Sequence, residues 1–213
     1  TGPNILDLFV SSSNATTHDI NSNRPMKMVE QIEIRNTSSN RLINPERLYS
    51  GCASLRSIPF VPYIRNAGAE THVRVFYQCF ALTHLPDDFA SDDKFWFKNP
   101  SSMQETFSHC YSLRYLPEGL FGSGMLTSCS NFYLTFADCR NLRYIPYIGV
   151  RNTADTRIDY MFNNCLDLRA IPKGFDASRM SSAGFDRVFS GCRECYDFSV
   201  FADAGGLDAI QRT

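Results

Sequence analysis

The chain has 213 residues, 43% of them hydrophobic, enough to fill a sizeable core in one or two domains. A formal charge of −1 and a pI near 6.4 exclude partners held by bulk charge, so neither nucleic acid nor an anionic membrane surface is expected. No apolar run reaches the length of a membrane span and no signal-peptide pattern is present, so membrane insertion is not expected either.

In chain order, residues 1–47 come first and read as an N-terminal capping segment. "ILDLFV" (5–10) is apolar, and "SSSNATTHDINSN" (11–23) has the composition of a polar loop. "VEQIEI" (29–34) spaces Val29, Ile32 and Ile34 as a capping coil would. "NAT" (14–16) and "NTS" (36–38) fit the glycosylation pattern, which matters only in a eukaryotic secretory host.

From residue 48 one pattern, F-x-x-C-x-x-L-x-x-[IL]-P, takes over and runs to 199. It appears as "LYSGCASLRSIP" (48–59), "FYQCFALTHLP" (76–86), "FSHCYSLRYLP" (107–117), "FADCRNLRYIP" (136–146) and "FNNCLDLRAIP" (162–172), with a worn sixth copy, "FSGCRECYDFS" (189–199). The motif cysteines Cys52, Cys79, Cys110, Cys139, Cys165 and Cys192 are 27, 31, 29, 26 and 27 residues apart. A unit of this length cannot bury its own apolar side, so the pattern predicts a solenoid in which each unit stacks on the next. The leucine and the Ile/Leu before proline are expected in a shared core. The proline marks the end of a short strand, because it has no N–H to give a ladder. Strands recurring at this interval are expected to be parallel, with right-handed crossovers. Stretches before each Phe, such as "SSMQET" (101–106) and "TRIDYM" (156–161), are expected to form a short helix or turn.

Between repeats, the longest interval holds "DDFASDDKFWFKNP" (87–100). Insertions of this kind emerge as loops on one face of an array, often the binding face. Phe95, Trp96 and Phe97 are candidates for a contact anchor there, Phe95 and Trp96 foremost, since three consecutive aromatics cannot all face one core; the alternative is a loop that folds back and buries all of them. Asp87, Asp88, Asp92 and Asp93 could supply calcium oxygens, but they match no known loop spacing and read as a solvated loop. Residues 200–213 read as a C-terminal cap or a truncated tail.

The cysteines are expected to be reduced. Stacked units hold equivalent Cβ atoms parallel and too far apart for a disulfide, so the ladder cysteines read as small buried hydrophobes. Cys192 and Cys195 form a C-x-x-C, yet Cys195 occupies the leucine slot and His18, His72, His84 and His109 are scattered. That leaves no zinc set, and no metal or cofactor is expected.

The two positions after the motif leucine read Arg56-Ser57, Thr83-His84, Arg114-Tyr115, Arg143-Tyr144 and Arg169-Ala170. Stacking turns these into an arginine column broken by one threonine, beside a column holding His84, Tyr115 and Tyr144. Arginine forks recognise carboxylate and phosphate, and tyrosine gives a flat amphipathic contact, so Arg56, His84, Arg114, Tyr115, Arg143, Tyr144 and Arg169 are candidate ligand-binding residues. The competing reading is solvated decoration copied from one ancestral unit. Nucleophile elbows, zinc-protease motifs and phosphate-binding glycine loops are missing from the sequence, and no catalytic function is expected.

The Phe/Cys/Leu/Pro quartet resembles the BspA-type leucine-rich repeat of bacterial surface and phage tail proteins, over about residues 48–199. The resemblance implies an α/β solenoid: a leucine-rich-repeat-like right-handed coil stack with a short-stranded parallel sheet and capping segments. It also implies a recognition or adhesion module with no catalytic residues to carry over. Such a module would be displayed on a phage virion appendage (tail fibre or receptor-binding protein) or a bacterial surface, and would bind a host-surface glycan or protein. Two alternatives stand beside it: a structural virion subunit packed against neighbouring subunits, and an intracellular interaction scaffold.

Overall fold

Alternating hydrophobic residues at both ends of a 26-residue spacing produce the only paired strands among the described residues. The computed structural model describes residues 5–10, 31–36, 46–58, 71–90, 97, 100–122, 126–150, 153–176 and 186–195. Strand β1 (Ile5–Val10) pairs in parallel with β2 (Gln31–Asn36), setting Leu6 opposite Ile32 and Leu8 opposite Ile34. The offset, Ile5 to Gln31, equals the Cys139-to-Cys165 interval of the repeats. "VEQIEI" thus enters a strand at its third residue.

Within the repeats, each unit lies beside the next in a fixed register. Phe76 N–H donates to Thr106 O, Phe107 N–H to Thr135 O, Phe136 N–H to Met161 O and Phe162 N–H to Val188 O, all at 2.8–2.9 Å. Flanking alternate residues repeat the bond: His72, Arg74 and Gln78 donate to Ser102, Gln104 and Ser108. Every one of these bonds runs from the earlier unit to the later.

A common backbone device produces that uniform direction. The residues two before and two after each motif aromatic have positive φ: Arg74 and Gln78, Glu105 and His109, Leu134 and Asp138, Tyr160 and Asn164. Left-handed residues placed at this spacing turn successive alternate N–H groups to the same side. Intervening N–H groups close turns within the unit, as Cys79 N–H to Phe76 O and Leu82 N–H to Cys79 O. The segment before each Phe is therefore a run of turns. Among the described residues the repeats pair in parallel through single bridges, such as Thr71 to Ser102 to Asn131 to Arg157 and Tyr115 to Tyr144, because the turns consume the donors a continuous strand would need.

The motif aromatics form the spine of the core. Rings of Tyr49, Phe76, Phe107, Phe136, Phe162 and Phe189 stack in order, with centroids 5.1–5.5 Å apart and planes within 17°. Leu55, Leu82, Leu113, Leu142 and Leu168 are fully buried, as are Ile58 and Leu85 from the pre-proline slot. Cys195 is buried in the leucine slot of the sixth copy. The prolines open return turns, with Phe89 N–H donating to Pro86 O and Phe175 N–H to Pro172 O. Those turns carry a second aromatic across the spine: Phe89 tilts on Phe76, Phe121 on Phe136 and Phe175 on Phe162.

The eight cysteines are free, and all but the half-buried Cys192 are buried. From Cys79 onward each ladder thiol donates to the carbonyl of the motif aromatic one unit earlier: Cys79 to Tyr49, Cys110 to Phe76, Cys139 to Phe107, Cys165 to Phe136 and Cys192 to Phe162, at 3.0–3.1 Å. The cysteine is thus a short hydrogen-bond donor as well as a small hydrophobe.

Candidate functional site

Past the cysteine the hydrogen-bond direction reverses, and this reversal builds the exposed row. Thr83 N–H donates to Arg56 O, Arg114 N–H to Thr83 O, Arg143 N–H to Arg114 O and Arg169 N–H to Arg143 O, at 3.0–3.4 Å. Arg56, Thr83, Arg114, Arg143 and Arg169 are therefore spatial neighbours in chain order, although 26 to 31 residues separate each from the next. All four arginines are exposed. The buried leucine that precedes each one anchors the backbone, so the following side chain must leave the core.

The second column lies alongside. His84 stacks on Tyr115 with centroids 5.8 Å apart, and Tyr115 bridges Tyr144 in parallel. Tyr115 and Tyr144 are 48% and 44% exposed, the only large hydrophobic side chains so exposed among the described residues. Apolar rings left in water in one row, beside cations, are the feature that separates this face from the rest of the surface. Ser57 and Ala170 continue the column as small residues at its two ends.

Charge along the face is uneven. Arg143 Nε lies 3.6 Å from Asp167 Oδ2. Loss of solvent, together with the charge and hydrogen bond of Glu118, raises the hydroxyl pKa of Tyr144. Thr83 Oγ1 is 2.8 Å from His84 Nδ1. Arg56, Arg114 and Arg169 form no ion pair among the described residues.

A neighbouring column extends the face. Phe80 and Tyr111 stack at 4.9 Å with nearly parallel planes, and the Arg140 guanidinium sits 4.6 Å above the Tyr111 ring. These residues directly follow the ladder cysteines, and aligning the five motif copies on cysteine would have exposed the column. On the flank before the aromatic, Arg74 donates twice to Glu105, at 3.0 Å each. Burial opposes ionisation of Glu105, but the bonds from Arg74 and Gln104 outweigh it and hold the carboxyl below its ordinary value. This pair is mutually satisfied and offers less to a ligand than the open arginines.

Phe95 and Trp96 lie outside the described residues, as do Asp92 and Asp93. Their neighbour Phe97 is fully buried, with its ring against His72, Phe107 and Phe121. Among the described residues no group of three or more His, Cys, Asp or Glu side chains gathers as a metal cage. Among them too, no helix is long and apolar enough to cross a membrane. Comparison of the chain with protein-family models and with curated proteins finds no match.

Proposed function

We propose that the repeats form a leucine-rich-repeat-like, right-handed solenoid, capped by residues 1–47 and 200–213, that works as a non-enzymatic recognition module. It is displayed on a phage virion appendage or a bacterial surface and binds a host-surface glycan or protein. Its contact face is the arginine row Arg56, Arg114, Arg143 and Arg169 with the aromatic column His84, Tyr115 and Tyr144; Phe95 and Trp96 of the long interval are further candidate contacts, outside the described residues. One observation carries this reading: two exposed tyrosines stand in line beside a row of exposed guanidinium groups, at positions the backbone ladder holds in register. Exposed tyrosine costs solubility and returns nothing to the core, whereas a rigid aromatic beside a cation suits a ligand with both apolar and anionic parts.

The test uses the labelled 213-residue chain on a panel of intact bacteria. Arg114→Ala and Tyr115→Ala are expected to lower the affinity for bound cells about tenfold each, near 1.4 kcal/mol, with an unchanged melting temperature. Wild-type binding by both variants would remove this face from the function.

A further inference from the structure

The arginine row has a longer charge period than the repeat that builds it. Of its five positions, Thr83 is neutral and Arg143 is held 3.6 Å from Asp167. Arg56, Arg114 and Arg169 are exposed and form no ion pair among the described residues. An open guanidinium therefore recurs at every second unit. Parallel hydrogen-bonded neighbours lie about 4.8 Å apart, so open cations recur at about 10 Å. Of the two intervening positions, the one at Arg143 is also acidic. Asp167 stands beside Arg143, and Glu118 beside Tyr144, so carboxylates meet any second anion offered there.

We infer that the ligand of this face is a linear polysaccharide lying along the row, with one anionic group on every second sugar. The inference rests on the recognition reading above and adds the ligand's class and charge spacing. An extended pyranose chain advances, per sugar, by a length close to the spacing of the units, so sugars and units pass in step. An acid on alternate sugars then meets Arg56, Arg114 and Arg169 in turn. The sugars between lie over Thr83 and over Arg143, whose charge Asp167 partly offsets. Tyr115 and Tyr144 offer exposed ring surface to the apolar parts of the chain. A polymer acidic at every sugar gains no further open arginine and is repelled by Asp167 and Glu118.

Three immobilised polymers test this: hyaluronan, with one carboxylate per two sugars; polygalacturonate, with one on every sugar; and neutral dextran. The full chain is expected to prefer hyaluronan to polygalacturonate by about tenfold at physiological salt and to ignore dextran. Thr83→Arg fills the gap in the row and Asp167→Asn releases Arg143, so each is expected to shift the preference toward polygalacturonate. If Thr83→Arg lowers the melting temperature, Asp167→Asn decides alone. Equal binding to both acidic polymers, preference of the wild-type chain for polygalacturonate, or tighter binding to a single-stranded oligonucleotide overturns the inference. Arg114-dependent binding to cells with no binding to either acidic polymer overturns it while leaving the recognition reading intact. Loss of both brings that reading down as well.

Discussion

Gly174 shows how tightly single positions are specified. Its φ is +82°, and a Cβ placed there would lie 2.5 Å from Cε2 of the Tyr147 ring. Gly51 has nearly the same φ, +78°, but open space around it. Gly51→Ala carries only the left-handed penalty, about 1 kcal/mol, whereas Gly174→Ala adds an overpacking cost of about 1–3 kcal/mol. Denaturant midpoints of the two variants are expected to fall in that order, and equal losses would show that Tyr147 moves aside without cost. Glycine is only part of the pattern. Two residues after each aromatic stand Gly51, Gln78, His109, Asp138, Asn164 and Gly191, and four of the six are Gly, Asp or Asn, which visit the left-handed region readily. That half of the device was legible in the sequence. Two residues before each aromatic stand Arg47, Arg74, Glu105, Leu134, Tyr160 and Arg187, none of which favours positive φ. Nothing in their chemistry announces it, since the conformation is imposed by the forward hydrogen bond that each N–H of Arg47, Arg74, Glu105, Leu134 and Tyr160 makes with the next unit. Each such bond is worth about 1 kcal/mol net, close to the left-handed cost, so the two nearly cancel and ring stacking decides the outcome.

At the scale of one repeated element, the thiol ladder makes a pH-dependent contribution. Burial pushes Cys52 from 9.0 up to about 12 and raises Cys79, Cys139 and Cys165 well above the ordinary thiol value. The folded pKa values exceed the unfolded ones, so the native state keeps its protons longer. The stabilisation is complete below pH 9 and drains away as pH climbs toward the folded values. Melting temperature is therefore expected to hold steady up to about pH 9 and to fall steeply above it, with thiolate absorbance appearing together with the loss of circular dichroism. Thiolate signal rising in the folded protein well before unfolding would contradict this. At neutral pH a thiol reagent should label the half-buried Cys192 first, and the six fully buried thiols only as fast as the chain opens. The sequence carried the burial of these cysteines, because one small residue at a fixed distance from an aromatic and a leucine must share their environment. It did not carry the S–H bond to the earlier unit's carbonyl, since donor and acceptor are 29 to 34 residues apart and meet only through the stacking register. The same limit hid Phe89, Phe121 and Phe175, whose offset from the motif proline varies between three and four residues and so breaks the letter pattern.

Across the whole molecule, side-by-side placement of matching positions was legible from the period alone, and the exposed row follows from it: Arg114, Arg143 and Arg169 sit one residue past a buried leucine and have nowhere else to go. The period led to an expectation of short parallel strands, but a letter pattern does not distinguish such strands from the single bridges separated by turns that join the described repeats. The joining matters for energetics. If each unit touches only the units before and after it, stability is a sum of local terms and couplings between neighbours. The aromatic spine offers a direct measure. Phe136 and Phe162 stack at 5.5 Å, whereas Phe76 is separated from Phe162 by the rings of Phe107 and Phe136. In double-mutant cycles with leucine, Phe136 and Phe162 are expected to couple by about 0.5–3 kcal/mol, and Phe76 and Phe162 to add within about 0.5 kcal/mol. Strong coupling between the distant pair, or none between the adjacent pair, would mean that the rings do not pile up in the order Tyr49, Phe76, Phe107, Phe136, Phe162 and Phe189. The arginine row, set by the same register, would then lose its alternate-unit spacing too.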